Sequence, residues 1–253
     1  MSTHRSTPDD AHTRPLALVT GGARRLGAAT VRALHAAGYD LAIHYHTSAA
    51  AARELAAELN EVRSHSAFTL RQDLAARRAG SRLVAAIERR RGRLDLLVNN
   101  ASVFDANALE AEDYAAWERI QAINLRTPYF LAVAAAPLLG RHRGAIVNIA
   151  DIHGERPRAG YAIYCASKAG LLAVTRSLAL ELAPAVRVNA VSPGAILWAE
   201  SEAPAARAAA LRAVPLERRG EPADIAAAVC YLAGATYVTG HVINVDGGRL
   251  LSG

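Results

Sequence analysis

The stretch Pro15–Gly38 (PLALVTGGARRLGAATVRALHAAG) decides the fold. Its apolar run Pro15–Thr20 predicts a strand, Gly21-Gly22 predicts a turn, and the pattern from about Arg25 predicts a helix. A glycine turn that opens a helix presents unpaired backbone N–H groups and the positive end of the helix dipole, which suit a pyrophosphate. The next glycine, Gly27, follows Gly21 without the usual G-x-G-x-x-G spacing, so the pattern alone is nearly as typical of an ordinary strand-to-helix turn.

Outward from this unit, short apolar runs alternate with helical patterns. Because the runs are almost continuously apolar, we expect strands that are covered on both faces, as in a parallel sheet. The sequence predicts an α/β fold, a single-domain doubly wound (Rossmann) seven-stranded parallel sheet over residues 15–253, after a flexible tail at 1–14. The predicted strands are Pro15–Thr20, Tyr39–Tyr45, Ser66–Arg71, Leu94–Asn99, Gly144–Ala150, Val186–Ser192 and His241–Val245.

The later helices are predicted from the same periodicity. They run from an N-cap at Ser48 to about Val62, over Leu74–Arg91, over Glu112–Leu139 with a bend at Pro128, up to Leu182, and over Pro222–Ala233. The Ala-rich segment Pro193–Gly220 is predicted to be irregular.

Composition excludes several classes of protein. The 253 residues are 52% hydrophobic and 21% charged, which excludes a disordered or fibrous chain. No apolar run approaches the roughly 20 uncharged residues that a membrane helix needs, and Met1–Arg14 lacks the apolar region of a signal peptide. Cys165 and Cys230 have neither metal nor redox spacing, so we expect a cytoplasmic protein without a metal site.

The charge balance is compatible with two kinds of partner. A net charge of +6 suits nucleic acid or an anionic cofactor. Aromatic residues make up only 5% of the chain and do not interleave with the basic clusters. The sequence therefore argues against a nucleic-acid partner.

The end of the second predicted strand bears on the cofactor. An NAD site usually carries Asp or Glu here to bind the ribose 2′-hydroxyl, whereas this chain has His46-Thr47-Ser48. No carboxylate repels a 2′-phosphate, and Arg24 or Arg25 could reach across the turn, so the sequence favours NADPH. A surface turn that merely lacks an acid is the alternative.

Lysine usage indicates a catalytic pair. Lys and Arg total 29 residues, and Lys168 is the sole lysine. It stands four residues after Tyr164, a spacing that places both side chains on one helix face. A nearby ammonium lowers the pKa of a phenol, so the pair predicts a proton donor. Chance placement in an Arg-biased chain is the alternative.

With these elements in this order, the chain resembles the short-chain dehydrogenase/reductase family over almost its whole length. The matching pieces are Thr20-Gly21…Gly27, Asp73, Asn99-Asn100-Ala101, Asn124, Tyr164…Lys168 and Pro193-Gly194. The resemblance implies that Tyr164 is the acid, that Lys168 tunes it and binds the nicotinamide ribose, and that Asn124 holds a water in a proton relay. The cofactor-binding residues implied are Gly21, Arg24, Arg25, Leu26, Gly27, His46, Thr47, Ser48, Asp73, Leu74, Asn100, Ala101, Ser102, Tyr164, Lys168, Pro193, Gly194 and Ile196.

One position departs from the family pattern. The family usually has Ser about 13 residues before the tyrosine, and this chain has Asp151 there. A carboxylate and a carbonyl oxygen both only accept hydrogen bonds, so Asp151 suits a substrate with N–H donors or with a nitrogen that must be protonated. A degenerate, inactive family member is the alternative.

The pteridine reductase branch is the part of the family that the chain resembles further. The shared pieces are Arg25-Leu26-Gly27, His44-Tyr45-His46 with Ser48, Asn100-Ala101-Ser102 with Phe104, Gly160-Tyr161 and the Asp151/Tyr164/Lys168 set. The substrate-binding residues implied are Arg25, Ser102, Phe104, Asp151, Tyr161, Tyr164 and Trp198.

Within that implied site, Phe104 stacks on the pterin, and Trp198 closes over it from a mobile segment at 194–220. Plain packing roles are the alternatives for Phe104, Tyr161 and Trp198. Thr47 stands where some members carry Arg, which weakens the clamp on the 2′-phosphate. Members are often tetramers, so the resemblance implies a homotetramer.

These observations together predict an NADPH-dependent reductase that converts dihydropterins, and dihydrofolate as a bulkier substrate, by hydride transfer to a pterin C=N bond. A 3-oxoacyl or sugar ketone reductase is the first alternative, and Asp151 argues against it. A non-catalytic NADPH-binding regulator is the second, and the Asn124/Tyr164/Lys168 set argues against it.

Overall fold

A seven-stranded sheet, parallel at every pairing, forms the centre of the computed structural model, which describes residues 14–107, 109, 112–197 and 204–252. Its spatial order is β3-β2-β1-β4-β5-β6-β7. The strands are β1 (Leu16–Val19), β2 (Asp40–Tyr45), β3 (Ala67–Arg71), β4 (Leu96–Asn99), β5 (Ala145–Ile149), β6 (Arg187–Pro193) and β7 (Val242–Val245). The predicted fold class is confirmed. The order reverses between β1 and β4, the place where open parallel sheets bind ligands.

Eight α-helices complete the described part of the chain. They are α1 (Arg25–Ala36), α2 (Ala49–Val62), α3 (Ala79–Arg91), α4 (Tyr114–Gln121), α5 (Thr127–Gly140), α6 (Ala162–Leu182), α7 (Pro204–Arg212) and α8 (Pro222–Gly234). Alternate strand residues face opposite layers: Ala17 and Val19 pack with α1, α2 and α8, whereas Leu16 and Leu18 pack with α3, α5 and α6. Because both faces of the central strands β1 and β4 are buried, these two strands are almost entirely apolar.

Helix α3 begins at Ala79, so the prediction that it begins at Leu74 is wrong. The carbonyl of Leu74 accepts a hydrogen bond from Thr127 Oγ1 at 2.6 Å, and that of Ala75 accepts one from Arg126 at 2.6 Å. Asp73 Oδ1 also accepts from Ala75 N at 2.8 Å. The backbone of residues 74–75 therefore bonds to Arg126, Thr127 and the Asp73 side chain in place of the hydrogen bonds of a first helical turn.

The helix predicted over Glu112–Leu139 is interrupted before Pro128, not at it. A π-helical turn, Ala122–Arg126, separates α4 from α5, and Thr127 N donates to Ala122 O across it. Such turns occur frequently at functional sites. Here the turn holds Asn124, which is 1% exposed.

The segment Pro193–Gly220, predicted to be irregular, contains α7 (Pro204–Arg212). Its alanine-rich sequence has high helix propensity, which explains the difference. The predicted tail lies outside the described residues except for Arg14.

One stretch, Tyr114–Gly140, is long and apolar enough by composition to span a membrane. Half of its apolar window is buried inside the chain, and core helices of soluble proteins pass the same test. The stretch includes the π-helical turn, in which Ala122 and Asn124 are buried.

Candidate active site

A cleft of about 570 Å³ lies at the carboxyl ends of the strands. Loops after β1, β4, β5 and β6 line it. The structure brings most of the predicted cofactor and substrate residues together there. The predicted residues that line the cleft are Gly21, Arg24, Arg25, Leu26, Gly27, Asn100, Ala101, Ser102, Phe104, Asp151, Tyr164, Lys168, Pro193, Gly194 and Ile196.

The turn between β1 and α1 has a backbone shape that excludes side chains. Gly21 adopts a φ of 61°, and a Cβ added to Gly27 would lie 2.2 Å from the Gly21 carbonyl oxygen. Arg25 also adopts a left-handed φ of 52°, which is uncommon for a residue with a Cβ and marks local strain. The tight turn leads into α1 with no acidic residue in the first helical turn, so its N–H groups suit a pyrophosphate.

Thr20 and Asn100 hold this turn against the end of β4. Thr20 Oγ1 accepts from Asn100 N at 2.9 Å and from Ala101 N at 3.1 Å, while Asn100 Nδ2 donates to the Thr20 carbonyl at 2.8 Å. These bonds leave Asn100 and Ala101 at the cleft wall, positioned by their backbone.

His44 supports the same turn from below, a role that the sequence analysis missed. Its Nδ1 accepts from Gly21 N at 3.0 Å, and its Nε2 donates to the Gln72 carbonyl at 2.9 Å. The ring is therefore neutral, and burial lowers its pKa to about 4. A polar side chain inside the buried strand β2 is the sequence signal that could have identified it.

The remaining predicted cofactor residues lie beside the cleft and do not line it. His46 and Thr47 are exposed, and Ser48 precedes α2 without a side-chain cap bond. The pairing of Val19 with Ile43 places this segment next to the β1–α1 turn. Asp73 is half-buried, whereas the Leu74 side chain is in the core, so only its backbone can reach a ligand.

Tyr164 and Asp151 form a hydrogen bond at the centre of the cleft. Tyr164 Oη donates to Asp151 Oδ2 at 2.8 Å. Asp151 Oδ1 accepts from the backbone of His153, also at 2.8 Å, so both carboxylate oxygens have protein donors. Tyr164 lies in the first turn of helix α6, and Asp151 lies two residues after β5 in an extended conformation.

Lys168 lies one turn further along α6 and is 2% exposed. Its Nζ donates to the Ile149 carbonyl at 2.9 Å and lies 5.7 Å from the centre of the Tyr164 ring. Burial lowers the pKa of Lys168 to about 8, against the opposing effect of Asp151.

The expected lowering of the Tyr164 pKa by Lys168 is wrong for this structure. Burial raises the pKa of Tyr164 well above its ordinary value, and the Asp151 carboxylate raises it further. Tyr164 is consequently a protonated donor whose hydrogen is directed at Asp151.

The Asn124 side chain makes four hydrogen bonds, all of them within the protein. Its Oδ1 accepts from Val103 N at 2.9 Å and from Ser102 Oγ at 3.2 Å. Its Nδ2 donates to the Val103 carbonyl at 3.0 Å and to Ser167 Oγ at 3.1 Å. These four bonds exhaust the amide, so the predicted hold on a water does not come from the side chain. Asn124 instead ties the loop after β4 to α6 through Ser167, which the sequence analysis missed.

An aromatic pair forms the side wall of the substrate end. The rings of Phe104 and Tyr161 are stacked with centroids 4.4 Å apart at 13°, and the Tyr164 ring meets Phe104 edge-on at 4.7 Å. Tyr161 thus covers one face of Phe104. Trp198 lies outside the described residues, so the structure does not place it.

Seven further cleft residues were not predicted, and three of them have polar side chains: His153, Arg158 and Arg249. His153 Nδ1 donates to the Arg156 carbonyl at 3.0 Å. The Arg158 guanidinium lies 4.7 Å from the Tyr161 ring. Arg249 comes from the C-terminal turn, too distant in sequence for any local pattern to associate it with Tyr164.

A phosphate-type turn at the switch point of a doubly wound sheet, next to a buried Tyr–Lys pair, defines the class of nicotinamide-dependent oxidoreductases. A profile of the family described as enoyl-(acyl carrier protein) reductase matches residues 21–249. The chain belongs to the short-chain dehydrogenase/reductase family and is an NAD(P)-dependent reductase.

Individual relatives cover nearly the whole chain. An oxidoreductase of Mycobacterium tuberculosis is 39% identical over 92% of this chain and 91% of its own length. Pteridine reductase 1 of Leishmania tarentolae is 36% identical over 95% of this chain and 98% of its own length. A 3-oxoacyl-[acyl-carrier-protein] reductase of Synechocystis is 33% identical over 94% of this chain and 98% of its own length.

Proposed function

We propose that this protein is an NADPH-dependent reductase of pterin C=N bonds, acting on dihydropterins and on dihydrofolate. The observation that carries the proposal is the hydrogen bond from Tyr164 Oη to Asp151 Oδ2 at 2.8 Å inside the cleft. The similarity to the Leishmania pteridine reductase supports it.

Donor and acceptor matching explains why this bond favours a nitrogen substrate. A ketone oxygen needs a donor, and the nearest hydroxyl hydrogen is already directed at a carboxylate. A pterin has N–H groups that can donate hydrogen bonds to a carboxylate. Reduction of its C=N bond also requires a proton on the nitrogen. The Tyr164–Asp151 pair can hold that proton and direct it to the nitrogen.

A bound NADPH supplies the hydride that the ring carbon receives. The chain's own residues orient the reactants: the β1–α1 turn suits the pyrophosphate, and Lys168 holds a charge beside the ribose position that the family likeness implies. Asn124 keeps the loop after β4 in place. One hydride on carbon and one proton on nitrogen complete the reduction.

The preference for NADPH is supported by the residues next to the turn. The end of β2 carries His46, Thr47 and Ser48, without a carboxylate, and the exposed Arg24 lies on the adjoining turn. One charge-assisted bond to phosphate contributes about 1.5–3 kcal/mol, so NADPH should bind at least about tenfold more tightly than NADH.

We also propose a cytoplasmic homotetramer that acts on a small molecule, without a nucleic-acid or membrane partner. Exposed apolar side chains on α4 and α5 support self-association: Trp117 is 47% exposed, Phe130 56% and Val133 45%. Two unpaired cysteines, Cys165 and Cys230, suit a reducing compartment.

A substrate panel tests the proposal. Purified protein is assayed for NADPH oxidation with dihydrobiopterin, dihydromonapterin and dihydrofolate, and in parallel with a 3-oxoacyl thioester and a sugar ketone. We expect turnover of the dihydropterins and negligible turnover of the ketones. Binding of NADPH and NADH is measured on the same preparation, and equal dissociation constants would contradict the cofactor assignment.

A 3-oxoacyl reductase is the second candidate, because the Synechocystis relative carries that name and covers nearly the whole chain. Faster turnover of the thioester than of any dihydropterin would favour it. No turnover with either class would favour an NADPH-binding regulator.

A further inference from the structure

Two anchors hold the loop after β4, one on each side of Phe104. Before Phe104, both backbone groups of Val103 bond to the Asn124 side chain, at 2.9 and 3.0 Å. After Phe104, the backbone and the side chain of Asn107 bond to the start of α6. The first anchor uses Asn124, one of the residues that the family likeness implies, whereas the second uses a residue outside that set.

Asn107 binds the start of α6 at two points, one on either side of Tyr161. Its N donates to the Gly160 carbonyl at 2.8 Å, and its Oδ1 accepts from Ile163 N at 3.2 Å. The first N–H groups of a helix have no partner within the helix. Tyr161 occupies the N-cap position and makes no side-chain cap bond. Asn107 therefore supplies the cap from a position 56 residues before Ile163.

The helix end that Asn107 caps carries aromatic residues of the substrate end. Tyr161 stacks on Phe104 with ring centroids 4.4 Å apart, and Tyr164 meets Phe104 edge-on at 4.7 Å. Phe104 and Tyr164 both line the cleft. The hydrogen bonds of Asn107 and the ring contacts of Phe104 thus join the same two segments of the chain. A shift of the loop at Asn107 would therefore move the Phe104 ring relative to Tyr164.

The reacting groups on α6 have attachments of their own. Lys168 Nζ donates to a carbonyl of β5 at 2.9 Å, and Ser167 Oγ accepts from Asn124 Nδ2 at 3.1 Å. Tyr164 Oη donates to Asp151 at 2.8 Å. None of these bonds involves the cap at the start of the helix. Removing the cap should therefore leave the acid–base pair in place, whereas the loop after β4 loses its second anchor.

We infer that Asn107 is a positioning residue that caps α6 from the loop after β4 and so holds Phe104 in the wall of the substrate end. Without its side chain, the loop leaves α6 for part of the time, and the substrate finds a complete site in only a fraction of the molecules. The apparent affinity falls with that fraction. The expected signature is a higher KM with an unchanged kcat. The kinetic test of this inference rests on the proposed function.

The test compares KM and kcat for dihydrobiopterin, at saturating NADPH, in the wild type, Asn107→Ala and Asn107→Asp. The loss of one neutral hydrogen bond changes an equilibrium by about three- to tenfold. Asn107→Ala should raise KM by that factor, with kcat within about twofold of the wild-type value. Asn107→Asp keeps an oxygen that accepts from Ile163 N, and a carboxylate is favourable at a helix N-terminus, so this variant should restore the wild-type KM.

The matched control is Asn60→Ala. Asn60 is half-buried like Asn107, and its amide bonds to both backbone groups of Ala67, each at 2.9 Å, outside the cleft. This variant should lose stability in thermal unfolding and keep the wild-type KM. An equal rise of KM in Asn60→Ala and Asn107→Ala would overturn the positioning role, because KM would then report general destabilisation. A lower kcat at unchanged KM in Asn107→Ala, or no rescue by Asn107→Asp, would overturn it as well.

Amide hydrogen exchange without substrate tests the anchor separately from the proposed function. Peptides that contain Phe104 or Ile163 should exchange about three- to tenfold faster in Asn107→Ala and at the wild-type rate in Asn107→Asp and Asn60→Ala. Unchanged exchange in Asn107→Ala would overturn the anchor whatever the substrate is. If the wild type reduces ketones but no dihydropterin, the proposed function is wrong, and the same comparison of KM and kcat with the 3-oxoacyl thioester then decides the role of Asn107.

Discussion

The two ends of the cleft are built in different ways. At the β1–α1 turn, backbone geometry makes the site: Gly21 is left-handed, and Gly27 leaves no room for a Cβ. At the β5–α6 end, side chains make the site: Asp151 accepts a hydrogen bond from Tyr164, and Phe104 stacks on Tyr161. A glycine-to-alanine change should therefore impair the β1–α1 end of the cleft. At the β5–α6 end, we expect impairment only from changes that remove a hydrogen-bond donor, a hydrogen-bond acceptor or a charge.

Asp151→Ser should have the largest effect and should act on the substrate end alone. We expect the rate of dihydropterin reduction to fall by about 10²–10⁴-fold, the range for positioned acid–base groups. The NADPH dissociation constant should not change, because Asp151 contacts Tyr164 and His153, not the phosphate turn. Steady-state assays and a cofactor titration on one preparation measure both.

The control for that variant is Asp113→Ser. Asp113 caps α4 by accepting from Ala116 N at 2.9 Å, and Ser is also a good N-cap, so stability and activity should be retained. Wild-type dihydropterin reduction by Asp151→Ser would mean that the substrate end does not depend on this carboxylate.

Lys168→Arg tests the residue between the two ends. Lys168 is buried and bonded to the Ile149 carbonyl, and a planar guanidinium is larger than the ammonium it would replace. We expect turnover to fall by about a hundredfold, with weaker cofactor binding as well. Lys168→Met has a side chain of similar length without the charge. Thermal unfolding of both variants shows whether a loss of folding explains the loss of turnover. Near-normal turnover of Lys168→Arg would make the sole lysine an accident of composition.

The contrast between the two ends of the cleft also explains which structural features could be predicted from the sequence. Strand positions and the turn between β1 and α1 depend on local signals, such as the apolar run before Gly21, and the structure confirms both. The π-helical turn at Asn124 depends on bonds to Val103 and Ser167, which are distant in sequence.

Tertiary contacts likewise account for the other errors. The first turn predicted for α3 is absent because Arg126 and Thr127 bond its carbonyls. The stacking of Tyr161 on Phe104 joins two loops that no local pattern relates. The sequence therefore predicted many of the residues that line the cleft, but not the residues with which they are in contact.

Gly27→Ala should damage the cofactor end alone. The added Cβ would lie 2.2 Å from the Gly21 carbonyl oxygen and 2.8 Å from Asn100 Nδ2, so the backbone of the turn must move. Overpacking of this kind costs about 1–3 kcal/mol, and we expect NADPH to bind about ten- to a hundredfold more weakly. Gly234→Ala is the matched control, because no atom lies within 4 Å of its added Cβ. Unchanged NADPH binding would show that the turn does not depend on its backbone shape.

The stability of the protein should depend on pH through His44, the residue that supports the turn between β1 and α1. His44 Nδ1 accepts from Gly21 N in the folded state, and burial lowers its pKa from 6.5 to about 4. Between these values the unfolded chain binds a proton that the folded chain does not, so the free energy of unfolding rises with pH by up to roughly 1.4 kcal/mol per unit from this group. The stability is fully present above pH 6.5 and is lost as pH falls towards about 4. His44→Asn keeps an acceptor but does not titrate, so denaturant unfolding should show a shallower slope in this range. His65→Asn, at an exposed histidine, should keep the wild-type slope. An identical slope in His44→Asn and the wild type would mean that the turn does not depend on a neutral imidazole.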